Sequence, residues 1–178
     1  GSDRILARMN RNYTIEHYLE RIEAIRRAVP DIALSTDIIV GFPGEDEADF
    51  DDTLKLVEKV GYSQAFTFIF SKREGTPAAT MVDDTPPSVV QERFDRLVAA
   101  VQDGAYAQNQ KEADADVLVL VEGRSKRDDA SMMGKSPKNQ TVHFPIPCGV
   151  SAESLEGQIV RVHIENARTW YLSGQLVS

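Results

Sequence analysis

Hydrophobic positions in the first part of the chain follow a helix-type spacing and then a strand-type run. Residues 14–29 carry apolar side chains three and four positions apart, which predicts a helix capped by Thr14 and stopped by Pro30. Residues 32–40 are mostly β-branched or apolar and end at a glycine–proline turn, which predicts a buried strand. The first elements are therefore a helix and a strand.

The same order then repeats. Asp46 is the predicted N-cap of a second helix, Phe50 and Val57 belong to its apolar stripe, and Gly61 suits its exit. The run 65–70 predicts a second strand. Helices and strands that alternate with short connections are typical of βαβ units in a parallel sheet. Because two strands cannot close a barrel, we expect part of a larger α/β domain.

The pattern changes in the second half of the chain. Residues 87–113 show a long helical spacing that predicts a connecting helix, whereas residues 160–165 alternate apolar and polar side chains as a strand does. Short strands separated by glycines favour a small antiparallel, five-stranded, OB-like barrel over a two-sheet sandwich. The predicted regions are part of an α/β domain at 1–86, a connecting helix at 87–113 and a β-barrel at 114–178.

Composition and charge narrow the classes of protein. Hydrophobic residues make up 42% of the chain and charged residues 27%, as in globular domains. No apolar run is long enough to span a bilayer and no leader precedes the first helix, so we expect a cytoplasmic protein without membrane association. The net charge of −8 disfavours a wholly basic surface, but residues 114–178 carry seven basic against eight acidic residues and are nearly neutral.

The sequence contains few of the residue patterns that usually indicate catalysis or metal binding. Its one cysteine, Cys148, cannot form an internal disulfide or hold an iron–sulfur cluster alone, and we expect a reduced thiol. The three histidines are scattered, without metal-ligand spacing. We find no nucleophile elbow and no convincing nucleophile and base pair, so the sequence predicts no self-contained active site.

Two segments of the α/β part are candidates for ligand binding. In residues 34–45, LSTDIIVGFPGE, the glycines permit positive φ angles and leave room for a flat ring or a ribose, although a plain strand-to-helix turn is the competing interpretation. Helix capping and solvation explain the acidic run 45–52. In residues 66–70 the phenylalanines alternate, and packing against helices is favoured over lining a base pocket.

One segment of the β-rich part is basic. Residues 123–138 hold five basic against two acidic residues in a predicted glycine-punctuated loop, which is a candidate for contact with an RNA backbone. A merely solvated loop is the plainer alternative. The five basic residues are Arg124, Lys126, Arg127, Lys135 and Lys138.

Taken in order, five motifs resemble the methylthiotransferase branch of the radical-SAM enzymes. They are GSDRIL, MNRNYT, ALSTDIIVGFPGE, AFTFIFSKREGTPAA and DVLVLVEG. The resemblance implies the C-terminal strands and helices of a partial (β/α)6 barrel, with its fifth and sixth strands at residues 33–41 and 64–70, followed by an RNA-binding TRAM domain. It also implies S-adenosylmethionine and two [4Fe-4S] clusters in the full-length protein, whose cluster cysteines do not occur here.

The resemblance assigns expected roles to particular residues. Those expected near S-adenosylmethionine are Ser35, Asp37, Ile39, Gly41, Phe42 and Pro43, and those expected to bind RNA are the five basic residues above and Arg168. No bound cofactor and no activity are expected of this chain alone. Its expected partners are the anticodon stem-loop of tRNA and the N-terminal domains of the same protein, with self-association through open barrel edges.

Within the family, the motifs are most similar to the MiaB type. That type implies addition of a methylthio group at C2 of N6-isopentenyladenosine, at position 37 beside the anticodon. The alternatives are a methylthiotransferase for threonylcarbamoyl-adenosine in tRNA or for an aspartate of a ribosomal protein. Two further hypotheses are a stand-alone RNA-binding module and a fragment of an unrelated α/β metabolic enzyme.

Overall fold

A computed structural model describes residues 1–126 and 128–177 of the chain. These residues form two compact units, Gly1–Gly104 and Ala105–Ser178, and the division falls within one long helix. Among the described residues, no helix has the length and apolar character needed to cross a membrane.

The first unit alternates helices with two strands. The elements are α1 (Asp3–Arg8), α2 (Ile15–Ala28), β1 (Ser35–Val40), α3 (Glu47–Val60), β2 (Gln64–Ile69), a 3-10 turn (Pro77–Thr80) and α4 (Pro87–Gln110), whose last turns belong to the second unit. The strands β1 and β2 pair in parallel, with Thr36 beside Ala65 and Val40 beside Ile69, which confirms the predicted parallel arrangement.

The predicted helix boundaries are confirmed by their capping bonds. The Thr14 hydroxyl accepts the His17 backbone N–H at 3.3 Å at the start of α2. At the start of α3, Asp46 and Asp49 each accept the other's backbone N–H in a reciprocal capping box. Gly61 ends α3 with a φ of 59°, a left-handed conformation that glycine adopts readily. Local sequence therefore fixes both ends of the helix that follows β1.

The prediction of a buried strand is wrong for one face of the sheet. Helices cover the face that carries Ile38 and Val40, and these residues join a core with Phe50 and Leu97. On the other face Phe66 and Phe68 are each 51% exposed, so the expectation that these rings pack against helices is also wrong. Successive side chains of a strand point to opposite faces, and the helices of this unit supply cover for only one.

The second unit is a closed five-stranded barrel, as predicted. The strands and the short helix between them are β3 (Asp116–Arg124), β4 (Ser131–Lys135), β5 (Thr141–Pro145), α5 (Ala152–Leu155), β6 (Ile159–Ala167) and β7 (Leu172–Leu176). The strand order is β3-β4-β5-β7-β6, and β6 closes against β3. The expectation of a wholly antiparallel barrel is wrong for one pair, because β7 lies between β6 and β5 and runs parallel to β5.

The barrel interior is filled by alternate side chains of its strands. Val119, Met132, Phe144 and Val162 are almost completely buried there. Gly174 has no room for a side chain, since an added Cβ would overlap the His163 carbonyl of the neighbouring strand. The interior is therefore a packed core.

Candidate functional site

The turn after β1 has the backbone conformation that the sequence predicts. Gly41 and Gly44 have φ angles of 71° and 81°, in the left-handed region. The Glu45 carboxylate accepts the Gly41 backbone N–H at 3.0 Å, so the glutamate closes the turn on itself. An added Cβ at Gly41 would lie 2.6 Å from a methyl carbon of Val90 on α4, so α4 covers this side of the turn.

A buried arginine on α4 holds the same turn. Arg93 is 5% exposed and Glu45 6% exposed, and the guanidinium lies 3.5 Å from the Glu45 carboxylate and donates to its backbone carbonyl at 3.0 Å. Burial raises the pKa of Glu45, although the Gly41 N–H and Arg93 oppose that rise. The expectation that the acidic run is simply capping and solvated is therefore wrong at Glu45.

Sequence reasoning missed Arg93, although a signal was present. Arg93 follows Val90 by three positions and precedes Leu97 by four, which is the spacing of the buried stripe of α4. An arginine on such a stripe needs a buried acidic partner.

Asp49 is a second acidic residue that is buried rather than solvated. Its carboxylate accepts the Ser2 hydroxyl at 2.6 Å and is also bound by the Arg4 guanidinium. Burial acts to raise the pKa of Asp49, but the hydrogen bonds from Arg4, Ser2 and the Asp46 N–H outweigh that effect and hold the pKa well below its usual range. Asp49 therefore connects α1 to the start of α3.

The structure separates the six residues predicted near S-adenosylmethionine into two sets. Ser35, Asp37 and Ile39 are exposed on one face of β1. In the parallel register Asp37 lies beside Phe66 and Ile39 beside Phe68, so one carboxylate and three apolar side chains share this face. We call these four residues the open sheet face.

The other three residues lie in the turn. Gly41, Phe42 and Pro43 are buried, and the Phe42 ring meets the Phe70 ring at a centroid distance of 5.0 Å, nearly edge-on. They support the end of β1 from within the first unit and do not share the open sheet face. Asp37 and Ile39 also border a cavity of about 240 Å³ that is lined by residues of α1, α2 and α3 as well.

The predicted basic loop of the barrel is mostly a β-hairpin. Arg124 is the last residue of β3 and Lys135 the last residue of β4, so these two side chains extend from strands. Lys126 is exposed in the turn, whereas Arg127 lies outside the described residues. The prediction of one long loop is wrong because β3 and β4 pair up to Arg124, opposite Met132.

Acidic and polar neighbours already bind several of these basic groups. Lys138 forms an ion pair with Glu112 at 2.5 Å, and Arg124 donates to the Asp129 carbonyl and to Glu153 at 3.0 and 3.2 Å. The Lys135 ammonium donates to the Thr141 hydroxyl at 2.9 Å. Among the described residues, Lys126 and Arg168 are the candidates whose side chains are exposed and form no hydrogen bond or ion pair.

An aromatic group at one end of the barrel was not predicted. The rings of His143 on β5 and Tyr171 before β7 meet at 5.6 Å and 87°. Trp170, beside Tyr171, is 56% exposed, and Arg168 belongs to the same connection between β6 and β7. The signal in the sequence is the pair of adjacent aromatic residues, Trp170 and Tyr171.

Comparison with known proteins assigns both units. The family profile of the Radical SAM superfamily matches residues 1–57, and the profile of the TRAM domain matches residues 115–177, which is the barrel. Curated proteins called tRNA-2-methylthio-N(6)-dimethylallyladenosine synthase match nearly the whole chain: 46% identity with the one from Moorella thermoacetica, 48% with the one from Geobacillus thermodenitrificans and 42% with the one from Clostridium novyi.

The chain is similar to these synthases over nearly its whole length, and its second unit matches the TRAM domain. The three matches extend over 99–100% of this chain but over only 33–39% of the length of each relative. The radical-SAM match contains α1, α2, β1 and most of α3, and therefore includes the turn that Glu45 and Arg93 stabilise.

The residues at hand do not fit an iron–sulfur cluster. The one cysteine, Cys148, is exposed in the barrel unit. Within residues 1–126 and 128–177, no three histidine, cysteine, aspartate or glutamate side chains are grouped to hold a metal ion. A cluster needs a set of thiolate ligands, and the single cysteine of this chain does not supply such a set.

Proposed function

We propose that the protein to which this chain belongs adds a methylthio group to C2 of N6-isopentenyladenosine at position 37 of tRNA, in the cytoplasm. The observation that carries the proposal is the 42–48% identity with proteins named for the corresponding 2-methylthio product, extending through both units. In this proposal, the ligands of the iron–sulfur clusters come from the part of the full-length protein that is not included in this chain.

The first unit contributes part of the wall around S-adenosylmethionine in this proposal. The open sheet face supports this role, because Ile39, Phe66 and Phe68 offer an apolar surface to the adenine ring. The Asp37 carboxylate can accept a hydrogen bond from a ribose hydroxyl. Bound S-adenosylmethionine supplies the methyl group of the product. Arg93 acts through Glu45 as a positioning residue that holds the end of β1.

The second unit binds the tRNA in this proposal. A small barrel that matches the TRAM profile and carries exposed Lys126 and Arg168 suits contact with the phosphate backbone of the anticodon stem-loop. The acidic residues Glu112 and Glu153 neutralise Lys138 and Arg124, so phosphate binding depends mainly on the remaining basic side chains.

The test uses the full-length enzyme with reconstituted clusters and tRNA that carries N6-isopentenyladenosine. We expect mass spectrometry of the digested tRNA to show the methylthio product. Asp37→Ala and Phe68→Ala are expected to raise the KM for S-adenosylmethionine, because each removes part of the open sheet face. The matched control is Val82→Ala, which shortens an exposed side chain in the segment between the 3-10 turn and α4.

Two results would overturn the proposal. Product formed only on tRNA with threonylcarbamoyl-adenosine, or only on a ribosomal protein, would assign a different substrate. An unchanged KM for S-adenosylmethionine in both Asp37→Ala and Phe68→Ala would remove the open sheet face from the cofactor site.

A further inference from the structure

We propose that Trp170, Tyr171 and His143 form an aromatic platform on the outside of the barrel that stacks unpaired RNA bases. The inference rests on the proposed RNA binding by the second unit and specifies which part of the RNA the barrel contacts. The occupant is a single-stranded loop with bases turned outward, since a fully paired helix does not present base faces to aromatic side chains.

Strand register places the platform on the outer surface. In β5 the side chains of Val142 and Phe144 are buried in the barrel, so His143 between them points outward. Val142 pairs with Leu172 of the parallel strand β7, which brings Tyr171 to the side of His143. The ring contact at 5.6 Å and 87° is an edge-to-face arrangement that holds the two rings in a fixed relation.

Hydrogen bonds from the last turn of α4 fix the connection that carries Trp170. The Asn109 amide donates to the carbonyls of Arg168 and Thr169 at 2.7 and 3.1 Å, and Gln110 donates to the Ala167 carbonyl at 2.8 Å. The Arg168 N–H donates to the Tyr171 carbonyl at 2.9 Å. A connection held at both ends presents its aromatic side chains with little ordering cost on binding.

Charge at the same end of the barrel complements a nucleic acid. Lys135 pairs with Thr141, the first residue of β5, so its ammonium lies at the end of the strand where Tyr171 meets β5. Arg168 is exposed two residues before Trp170. Basic side chains beside exposed rings give the combination that single-stranded nucleic acids bind, with phosphate contacts along the backbone and stacking on the bases.

The exposed aliphatic residues of the barrel lie elsewhere. Leu118, Leu120 and Ile159 are exposed on the paired strands β3 and β6. The aromatic residues gather instead at β5 and the start of β7. This separation favours bases over an apolar protein segment as the occupant of the aromatic platform.

The experiment uses the 178-residue chain and three synthetic RNAs of equal length: an anticodon stem-loop, a single strand and a blunt duplex. Fluorescence anisotropy of labelled RNA measures binding, and the emission of Trp170, the only tryptophan of the chain, reports stacking directly. We expect the stem-loop and the single strand to quench Trp170. The duplex is expected to bind through its phosphates and leave the emission unchanged.

Variants separate stacking from charge. Trp170→Ala and Tyr171→Ala are expected to weaken stem-loop binding by roughly 5- to 100-fold each, the range of stacking on one base, with the salt dependence unchanged. Trp170→Phe restores most of the affinity because it retains a flat ring. Leu118→Ala is the control, since it removes an exposed apolar side chain on another strand and leaves binding as it was.

The outcomes distinguish this inference from the proposed function. In one outcome the stem-loop binds in a salt-sensitive manner, but it does not change the Trp170 emission of the natural chain, and both alanine variants bind as tightly as that chain. The inference of an aromatic platform is then wrong, whereas RNA binding by the barrel is retained. If no RNA binds even at low salt, both are wrong. If a duplex quenches Trp170 as strongly as a single strand, unpaired bases are not the ligand.

Discussion

Arg93 and Glu45 form a buried ion pair between α4 and the turn that follows β1. The guanidinium nitrogen lies 3.5 Å from the carboxylate and also binds the Glu45 backbone carbonyl. The same carboxylate accepts the Gly41 N–H at 3.0 Å. The geometry of the glycine turn therefore depends on a side chain from a helix that begins more than forty positions later in the chain.

Replacement of Arg93 by methionine is expected to destabilise the first unit strongly. The Glu45 carboxylate would remain buried without its charged partner, and loss of one member of a buried pair costs about 3–5 kcal/mol. Urea unfolding followed by far-UV circular dichroism measures the change. Arg93→Met combined with Glu45→Gln should recover part of the loss, because the stranded charge is then removed.

The matched control for Arg93→Met is Lys55→Met. Lys55 forms an exposed ion pair with Asp52 within α3, and such pairs contribute little to stability because water screens the two charges. Equal losses in the two variants would contradict a special role for the buried pair.

Asp49 is expected to make stability depend on acidity. Because the pKa of Asp49 is held below its usual range in the folded state, its contribution is fully present above the unfolded pKa of about 3.9 and is lost as the pH falls through the lowered folded pKa. Urea midpoints at pH 7, 5 and 3 should therefore decrease more steeply in the natural chain than in Asp49→Asn. Asp52→Asn, at an exposed position of the same helix, should retain the steep decrease.

The contribution of Glu45 to folding stability changes with pH in the opposite direction to that of Asp49. The pKa of Glu45 is raised by burial, so its contribution to stability is fully present below the unfolded pKa and is lost as the pH rises through the raised folded pKa. Glu45→Gln should flatten the part of the stability profile above the usual glutamate pKa. A profile of Glu45→Gln that is parallel to that of the natural chain would show that the carboxylate titrates as it does in the unfolded chain.

Much of the first unit was predictable because its signals are local. The cap at Thr14, the capping box that begins at Asp46 and the left-handed exit at Gly61 each involve residues within four positions of one another. The ion pair of Glu45 with Arg93 was not predictable in this way, since nothing near Glu45 indicates which helix covers it. The exposure of Phe66 was missed because β-type alternation shows that two faces differ but not which face is covered.

Gly174→Ala is expected to prevent normal closure of the barrel. An added methyl group would overlap the His163 carbonyl of β6, and neither backbone can move without breaking the pairing of β6 with β7. We expect a loss of at least about 3 kcal/mol, in the range of severe overpacking, and a red shift of Trp170 emission. Gly149→Ala is the control, because its added methyl group meets no atom within 4 Å and only the left-handed φ of 77° costs about 1 kcal/mol.

Lys126 and Lys138 are expected to differ in RNA binding although both come from the same basic segment. Lys126→Ala should reduce the salt slope of binding by about one, the effect of one lost phosphate contact. Lys138→Ala should leave the slope nearly unchanged, because Glu112 neutralises the ammonium at 2.5 Å. Anisotropy titrations of a stem-loop at several salt concentrations give both slopes, and equal slopes for the two variants would contradict this difference.

The barrel shows the same limit of sequence reasoning. Its closed five-stranded form was predicted from alternation and glycine spacing. β4, however, lies in the segment predicted as a loop, and no strand was predicted at the position of β7. The neutralisation of Lys138 was not predicted, since Glu112 precedes β3 and nothing in the local sequence joins the two. The placement of Tyr171 beside His143 depends on the parallel pairing of β7 with β5, which a pattern of separate strands does not contain.

The strand order of the barrel has a consequence for its synthesis on the ribosome. β3 is the first barrel strand to be synthesised, but its second neighbour, β6, is made later. β5 likewise gains its second neighbour only when β7 is made, so the barrel stays open until the chain has been translated through Leu176. Until then the sheet has two unpaired edges, β5 on one side and β3, later β6, on the other, and unpaired edges are the parts of a sheet most prone to join other chains. Translation speed over the last strands, at about 5–20 residues per second, therefore sets how long the nascent protein needs protection from aggregation.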